Sequence, residues 1–97
     1  MIVHLVLFRF KAGVTRQDER VARVVKAMAE LPAQIPLIRS WHHGFNRAED
    51  AQAWDYGLQA VFNSEADLQA YFDHPAHLPV VDAWDEIAVL GYTDFVV

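Results

Sequence analysis

Residues 2–10, IVHLVLFRF, carry apolar side chains on both faces of an extended segment. Side chains alternate along a strand, so Ile2, His4, Val6, Phe8 and Phe10 share one face, and Val3, Leu5, Leu7 and Arg9 share the other. A strand with one apolar face can leave the other in water, but this one has to be covered twice. Any fold for the chain must therefore supply one layer on each side of its first strand.

The rest of the pattern supplies the first of those layers. Lys11-Ala12-Gly13 turns the chain, and Thr15 with Asp18 three positions on predicts a capped helix start. Val21, Val24, Val25, Met28 and Leu31 give that helix an apolar stripe, and Pro32 is expected to stop it. Residues 38–45 read as a second strand, 46–53 as a polar loop and 54–63 as a third strand with Tyr56, Leu58, Ala60 and Phe62 on one face. Ser64 caps a second helix containing Leu68, Tyr71 and Phe72. A short helix about residues 75–85 and a last strand about 89–96 complete the chain. The order β-α-β-β-α-β, with right-handed crossovers, predicts a ferredoxin-like α+β plait: four antiparallel strands with helices on one face.

The second layer must come from elsewhere. A chain of 97 residues is expected to form one domain, residues 1–97, and a monomer of that size buries only about 60–65% of its unfolded surface. Three Trp, six Phe and three Tyr are many aromatics for so small a core. A second sheet of the same kind, packed on the Val3, Leu5 and Leu7 face, is the expected cover, making a homodimer with the form of a dimeric α/β barrel.

Several function classes are excluded or disfavoured. Cysteine is absent, which removes disulfides, thiolate catalysis and zinc–thiolate sites. The N-terminal segment is too short to span a bilayer and lacks the basic lead and cleavage site of a signal peptide, so a cytoplasmic protein without membrane attachment is expected. The charge is uneven: seven Lys/Arg stand against three Asp/Glu in residues 1–45, and one against ten in residues 46–97. Arg16, Arg20, Arg23 and Lys26 form a solvated helix face in this reading, and no nucleic acid partner is expected from a net charge of −5 without a recognition motif. No Gly-rich phosphate loop is present, and no cofactor is implied.

The chemistry is concentrated in YFDHPAH, residues 71–77. His74 precedes Pro75 and is biased away from helical angles, while Pro75 suits the start of a new turn. Tyr71 then closes one helix and His77 falls in the first turn of the next, where the positive helix end favours a neutral imidazole. A neutral imidazole can serve as general base, and a phenol beside it can donate to a developing oxyanion. His4, on the first strand, is placed to orient a ligand or to hydrogen-bond His77. The plainer alternative is structural: a His before Pro caps backbone groups, and a Tyr at a helix end packs its ring. A metal site has less support, because His42 and His43 point to opposite faces and no complete His/carboxylate motif accompanies His74 and His77.

HLVLFRFKAGVT, GFN, FNSEADLQAYFDHPAHLPVV and YTDF together resemble the stress-responsive A/B barrel (Dabb) family over nearly the whole chain, with SEADLQAYFDHPAH the most specific part. The resemblance implies a small ferredoxin-like domain that dimerises through its sheet. In a plant polyketide cyclase of this family, which closes a ring by intramolecular aldol condensation, a Tyr and the second His of HPAH are the acid–base residues. A first-strand His lines that enzyme's pocket. Those positions here are Tyr71, His77 and His4, and the first His of the motif is His74. The pocket wall departs from the cyclase: the first helix offers Val21, Ala22, Val25 and Lys26 in place of aromatics, and LPVV with Pro79 follows HPAH in place of glycine and phenylalanine.

The resulting expectation is a dimer with an apolar small-molecule pocket, taking a small hydrophobic or aromatic ligand. Tyr71 and His77 are its acid–base pair, and His4, Val6, Phe8, His74 and Val80 contact the substrate. The reaction implied is proton abstraction next to a carbonyl. The alternatives are a non-catalytic stress-associated or ligand-binding dimer, and a cofactor-free monooxygenase of the wider dimeric barrel superfamily.

Overall fold

A computed structural model describes residues 1–97. The elements run β1 (Ile2–Phe10), α1 (Glu19–Gln34), β2 (Ser40–Phe45), β3 (Tyr56–Phe62), α2 (Glu65–Phe72), α3 (Leu78–Ile87) and β4 (Ala88–Val96). The sheet order is β2-β3-β1-β4 with every pairing antiparallel. This is the ferredoxin-like α+β plait expected from the pattern, with α1, α2 and α3 on one face.

The two faces of β1 behave as alternation requires. Ile2, His4, Val6 and Phe8 are buried under the helices. On the opposite face Val3 is buried within the single chain, whereas Leu5 and Leu7 remain 37% and 45% exposed, and Val89 and Phe95 of β4 are exposed as well. Phe95 thus lies outside the core of the single chain.

Helix α1 differs from expectation at both ends. Its N-cap is Asp18, whose side chain accepts from the backbone N–H of Arg20 at 2.9 Å, while the Thr15 hydroxyl accepts from Gln17 N–H instead. Asp18, directly before the first helical residue, is placed to reach that orphan N–H, which Thr15 is not. Pro32 does not stop the helix, which runs on to Gln34. A proline inside a helix leaves the carbonyl four residues earlier without its donor. That carbonyl belongs to Met28, and the indole Nε1 of Trp41 donates to it at 3.0 Å.

The strands and the last helix are trimmed or shifted. β2 begins at Ser40 rather than 38, and β3 spans Tyr56–Phe62 rather than 54–63. Trp54 leaves the strand to lie over Gly91, with the Arg9 guanidinium 4.9 Å from its ring centre. Ser64 caps α2 as expected, its hydroxyl accepting from Asp67 N–H. α3 starts at Leu78, three residues later than the sequence indicates, because residues 74–77 form successive turns. Val80, Trp84 and Ile87 bring α3 onto the sheet, with the Trp84 ring 4.2 Å from that of Phe8. The Trp84 indole N–H is enclosed there without an acceptor.

Candidate functional site

The junction between α2 and α3 is held by its own backbone. His74 N–H donates to Tyr71 O at 3.1 Å, and His77 N–H donates to His74 O at 2.9 Å. Pro75 has no N–H to offer, and the next one, on Ala76, donates to His74 Nδ1 at 3.0 Å. His74 is thereby occupied in capping the turn and does not line the cavity described below. His77 occupies the N-cap position of α3 rather than its first turn, at φ −80° and ψ −40°, and its side chain caps nothing. Its Nδ1 instead meets the carbonyl oxygen of Phe72 at 3.1 Å. A carbonyl can only accept, so Nδ1 carries the hydrogen and the neutral ring keeps Nε2 bare.

Between helices and sheet lies a cavity of about 260 Å³. Val6 and Phe8 of β1 and Leu58 of β3 form its floor, and Met28 of α1 closes it from above. Tyr71, Phe72 and His77 form one end, Val80 and Trp84 of α3 the other. Leu90 and Tyr92 stand on β4, the edge strand, and the 69% exposure of Tyr92 marks the mouth. Of the sequence-predicted site residues, the structure brings His4, Val6, Phe8, Tyr71, His77 and Val80 together and leaves out His74.

The polar groups are few and placed against one another. Tyr71 is 1% exposed, and its ring lies 4.1 Å from that of His77 at 39° and 6.0 Å from that of His4 at 63°. The phenol therefore stands between two imidazoles. Its hydroxyl has no hydrogen-bond partner within the chain, and burial pushes it well above the usual phenol range. Burial also lowers His77, which outweighs the opposing hydrogen bond to Phe72, with the neighbouring His4 and His74 lowering it further. The neutral imidazole expected from a helix end is thus favoured mainly by desolvation.

His4 does not bond to His77. It is 5% exposed, and its Nδ1 donates to the carboxylate of Asp94 at 2.5 Å. The two residues are directly opposed in the β1–β4 pairing. Burying an imidazole without such a partner costs about 1–3 kcal/mol. Asp94 is the polar residue that sequence reasoning missed. The available signal was the YTDF run, in which Tyr92 and Asp94 share one strand face, but only the register sets that aspartate across from His4.

A second His–Tyr contact lies outside the cavity. His43 Nδ1 hydrogen-bonds the Tyr56 hydroxyl. Burial raises Tyr56 to about 12 and lowers His43. His42, on the opposite face of β2, is exposed and apart from that pair.

Fold and site together define a ferredoxin-like α+β protein with an apolar cavity walled by a Tyr/His cluster. The chain belongs to the stress-responsive A/B barrel domain family, whose model matches residues 2–96. It is similar to the uncharacterised protein SCO4036 of Streptomyces coelicolor, 35% identical with 98% of each chain covered. It is more distantly similar to olivetolic acid cyclase of Cannabis sativa, 22% identical over 95% of each. Among solved structures, a dimeric ferredoxin-like protein of unknown function from Thermobifida fusca superposes with a TM-score of 0.87 at 28% identity, covering 99% of this chain and 90% of that one. A hydroxynitrile lyase from Passiflora edulis (TM-score 0.84, 16% identity, 99% and 92% covered) shares the fold. So does SnoaB, a cofactor-independent oxygenase from Streptomyces nogalater (TM-score 0.74, 17% identity, 99% and 91% covered).

Proposed function

We propose that the chain works as a homodimer of a single domain whose cavity takes a small, mostly apolar carbonyl compound and moves a proton at the carbon beside the carbonyl. The observation that carries this reading is the packing of Tyr71 on His77 in the wall of an apolar cavity, with the phenol hydroxyl unpartnered and His77 Nε2 bare. In the proposed step His77 Nε2 takes the proton from the carbon, and the bonding pair moves to the carbonyl oxygen. The Tyr71 hydroxyl donates to that developing oxyanion. The resulting enolate then attacks a second carbonyl, as in aldol ring closure, or is reprotonated.

Physical chemistry supports each assignment. Desolvation keeps His77 unprotonated and so available as a base near neutrality. A phenol held well above its usual range stays protonated, the form a hydrogen-bond donor requires. Few water molecules compete inside an apolar cavity, so one aimed donor is worth more there than in solvent. The sequence similarity to a cyclase runs in the same direction. The dimer rests on the exposed Leu5, Leu7, Val89 and Phe95 face and on the dimeric neighbours. A ligand-binding dimer without turnover is the second reading, favoured by the mostly apolar cavity lining.

Acetophenone, a small apolar ketone, provides the test. Incubated with the protein in deuterium oxide, it should take up deuterium at its methyl group, and His77→Ala should slow this by about a hundredfold or more. Equal incorporation by the two proteins would end the proton-transfer reading.

A further inference from the structure

His77 and His4 differ in what stands behind them. The Nδ1–H of His77 ends on the backbone carbonyl of Phe72, which accepts a hydrogen bond but cannot carry a proton onward. A proton taken up by His77 can leave only by the cavity side. The Nδ1–H of His4 ends on a carboxylate, which can carry it onward.

Asp94 also has a second outlook. Beside the cavity, between α2 and the ends of β1 and β4, lies a groove of about 350 Å³ whose walls include Glu65, Gln69, Phe72 and Asp94. Phe72 borders both spaces, its ring 5.1 Å from that of His4. His4 faces the cavity at 5% exposure, whereas the Asp94 side chain retains 28%. The hydrogen-bonded pair therefore crosses the partition between a mostly apolar space and a more polar one.

We propose that His4 and Asp94 form a proton port, passing protons between the cavity and the more polar groove. This rests on the reading of the cavity as a place of proton transfer. In the outward stroke a proton from the cavity adds to His4 Nε2, the Nδ1–H bond breaks and its proton passes to the Asp94 carboxylate. Asp94 then gives that proton to water in the groove. One proton leaves, no electron pair is gained or lost by the protein, and His4 is left as its Nε2–H tautomer. The inward stroke reverses each bond change and restores the Nδ1–H form. Tyr71 neighbours both imidazoles, its ring 6.0 Å from that of His4 and 4.1 Å from that of His77. Asp94 acts through His4 and is a positioning residue in this scheme.

The port can be tested without a substrate, so its failure is separable from failure of the proposed reaction. In protein labelled with ¹⁵N-histidine, solvent exchange of each ring N–H is followed by NMR, with formate added as a small carboxylate proton carrier. The His4 ring proton should exchange faster as formate is raised, and the His77 ring proton should not respond. Asp94→Asn should slow His4 exchange by about a hundredfold, the low end of what a positioned proton-transfer group contributes, and Asp94→Glu should restore most of it. Gln69→Trp narrows the groove without touching His4 and should suppress the formate effect. It decides the matter alone if Asp94→Asn fails to fold. Unchanged His4 exchange in Asp94→Asn, or an undiminished formate effect in Gln69→Trp, overturns the port, whatever acetophenone does in the cavity.

Discussion

The indole of Trp41 donates to the carbonyl oxygen of Met28, the backbone acceptor that Pro32 leaves without a helical donor. One side chain from β2 thus repairs a fault inside α1 and ties sheet to helix beside the cavity wall. Trp41→Phe keeps most of the ring packing but orphans the carbonyl, and should cost about 1–3 kcal/mol in urea denaturation. In a Pro32→Ala background residue 32 regains its N–H and bonds Met28 itself. The same Trp41→Phe change should then cost about 1 kcal/mol less, and this coupling is the quantity to measure.

Stability should fall on acidification through His77. Burial lowers its folded-state value below the ordinary 6.5, so between the two values the unfolded chain binds the extra proton and the native chain does not. Stability therefore rises with pH up to about 6.5 and is flat above it, as far as this group is concerned. Half-buried His43 is shifted the same way by desolvation and adds to the slope. Chemical denaturation from pH 7 down to 5 should show the loss, and His77→Gln should make it shallower.

Removing the Tyr71 hydroxyl should separate function from stability. The hydroxyl bonds to no protein group, so Tyr71→Phe keeps the packing against His77, Phe62 and Trp41. Its unfolding free energy should stay within about 1 kcal/mol of wild type. Deuterium uptake by acetophenone should fall by about 10²–10³-fold, the usual effect of losing one oxyanion donor.

The outer sheet face should govern assembly. Leu7 is 45% exposed in the single chain, so Leu7→Lys disturbs no core contact. It does place a charge in the middle of the face proposed to meet a second sheet, where an unpaired buried charge is strongly unfavourable. Sedimentation velocity should show a folded monomer for the variant and a dimer for the wild type.

Much of the fold was legible because periodicity reports burial directly. The alternation in IVHLVLFRF and the stripe Val21, Val24, Met28 and Leu31 lie on the faces they indicated. Misreadings arose where a distant partner changes a local rule. Pro32 terminates a helix only if nothing else satisfies Met28, and Trp41 does. In the site, Tyr71, His77 and His4 were visible as residue types able to handle protons. Asp94 was not, because its meeting with His4 depends on the register of two strands some ninety residues apart in the chain. His74 shows the reverse: conspicuous beside His77 in the sequence, it is engaged by the backbone of Ala76.

The pairing of β1 with β4 has a consequence for the life of the chain before it is folded. The cavity draws His4 from the first strand, Tyr71 and His77 from the middle, and Tyr92 from the last. During synthesis one edge of the first strand must therefore wait unpaired until β4 has emerged and can close beside it. Contacts so distant in sequence form slowly, and an unpaired apolar strand invites aggregation in the interval. The nascent chain is thus exposed to misassembly for most of its translation, and a chaperone that holds its first ten residues would protect the part most at risk.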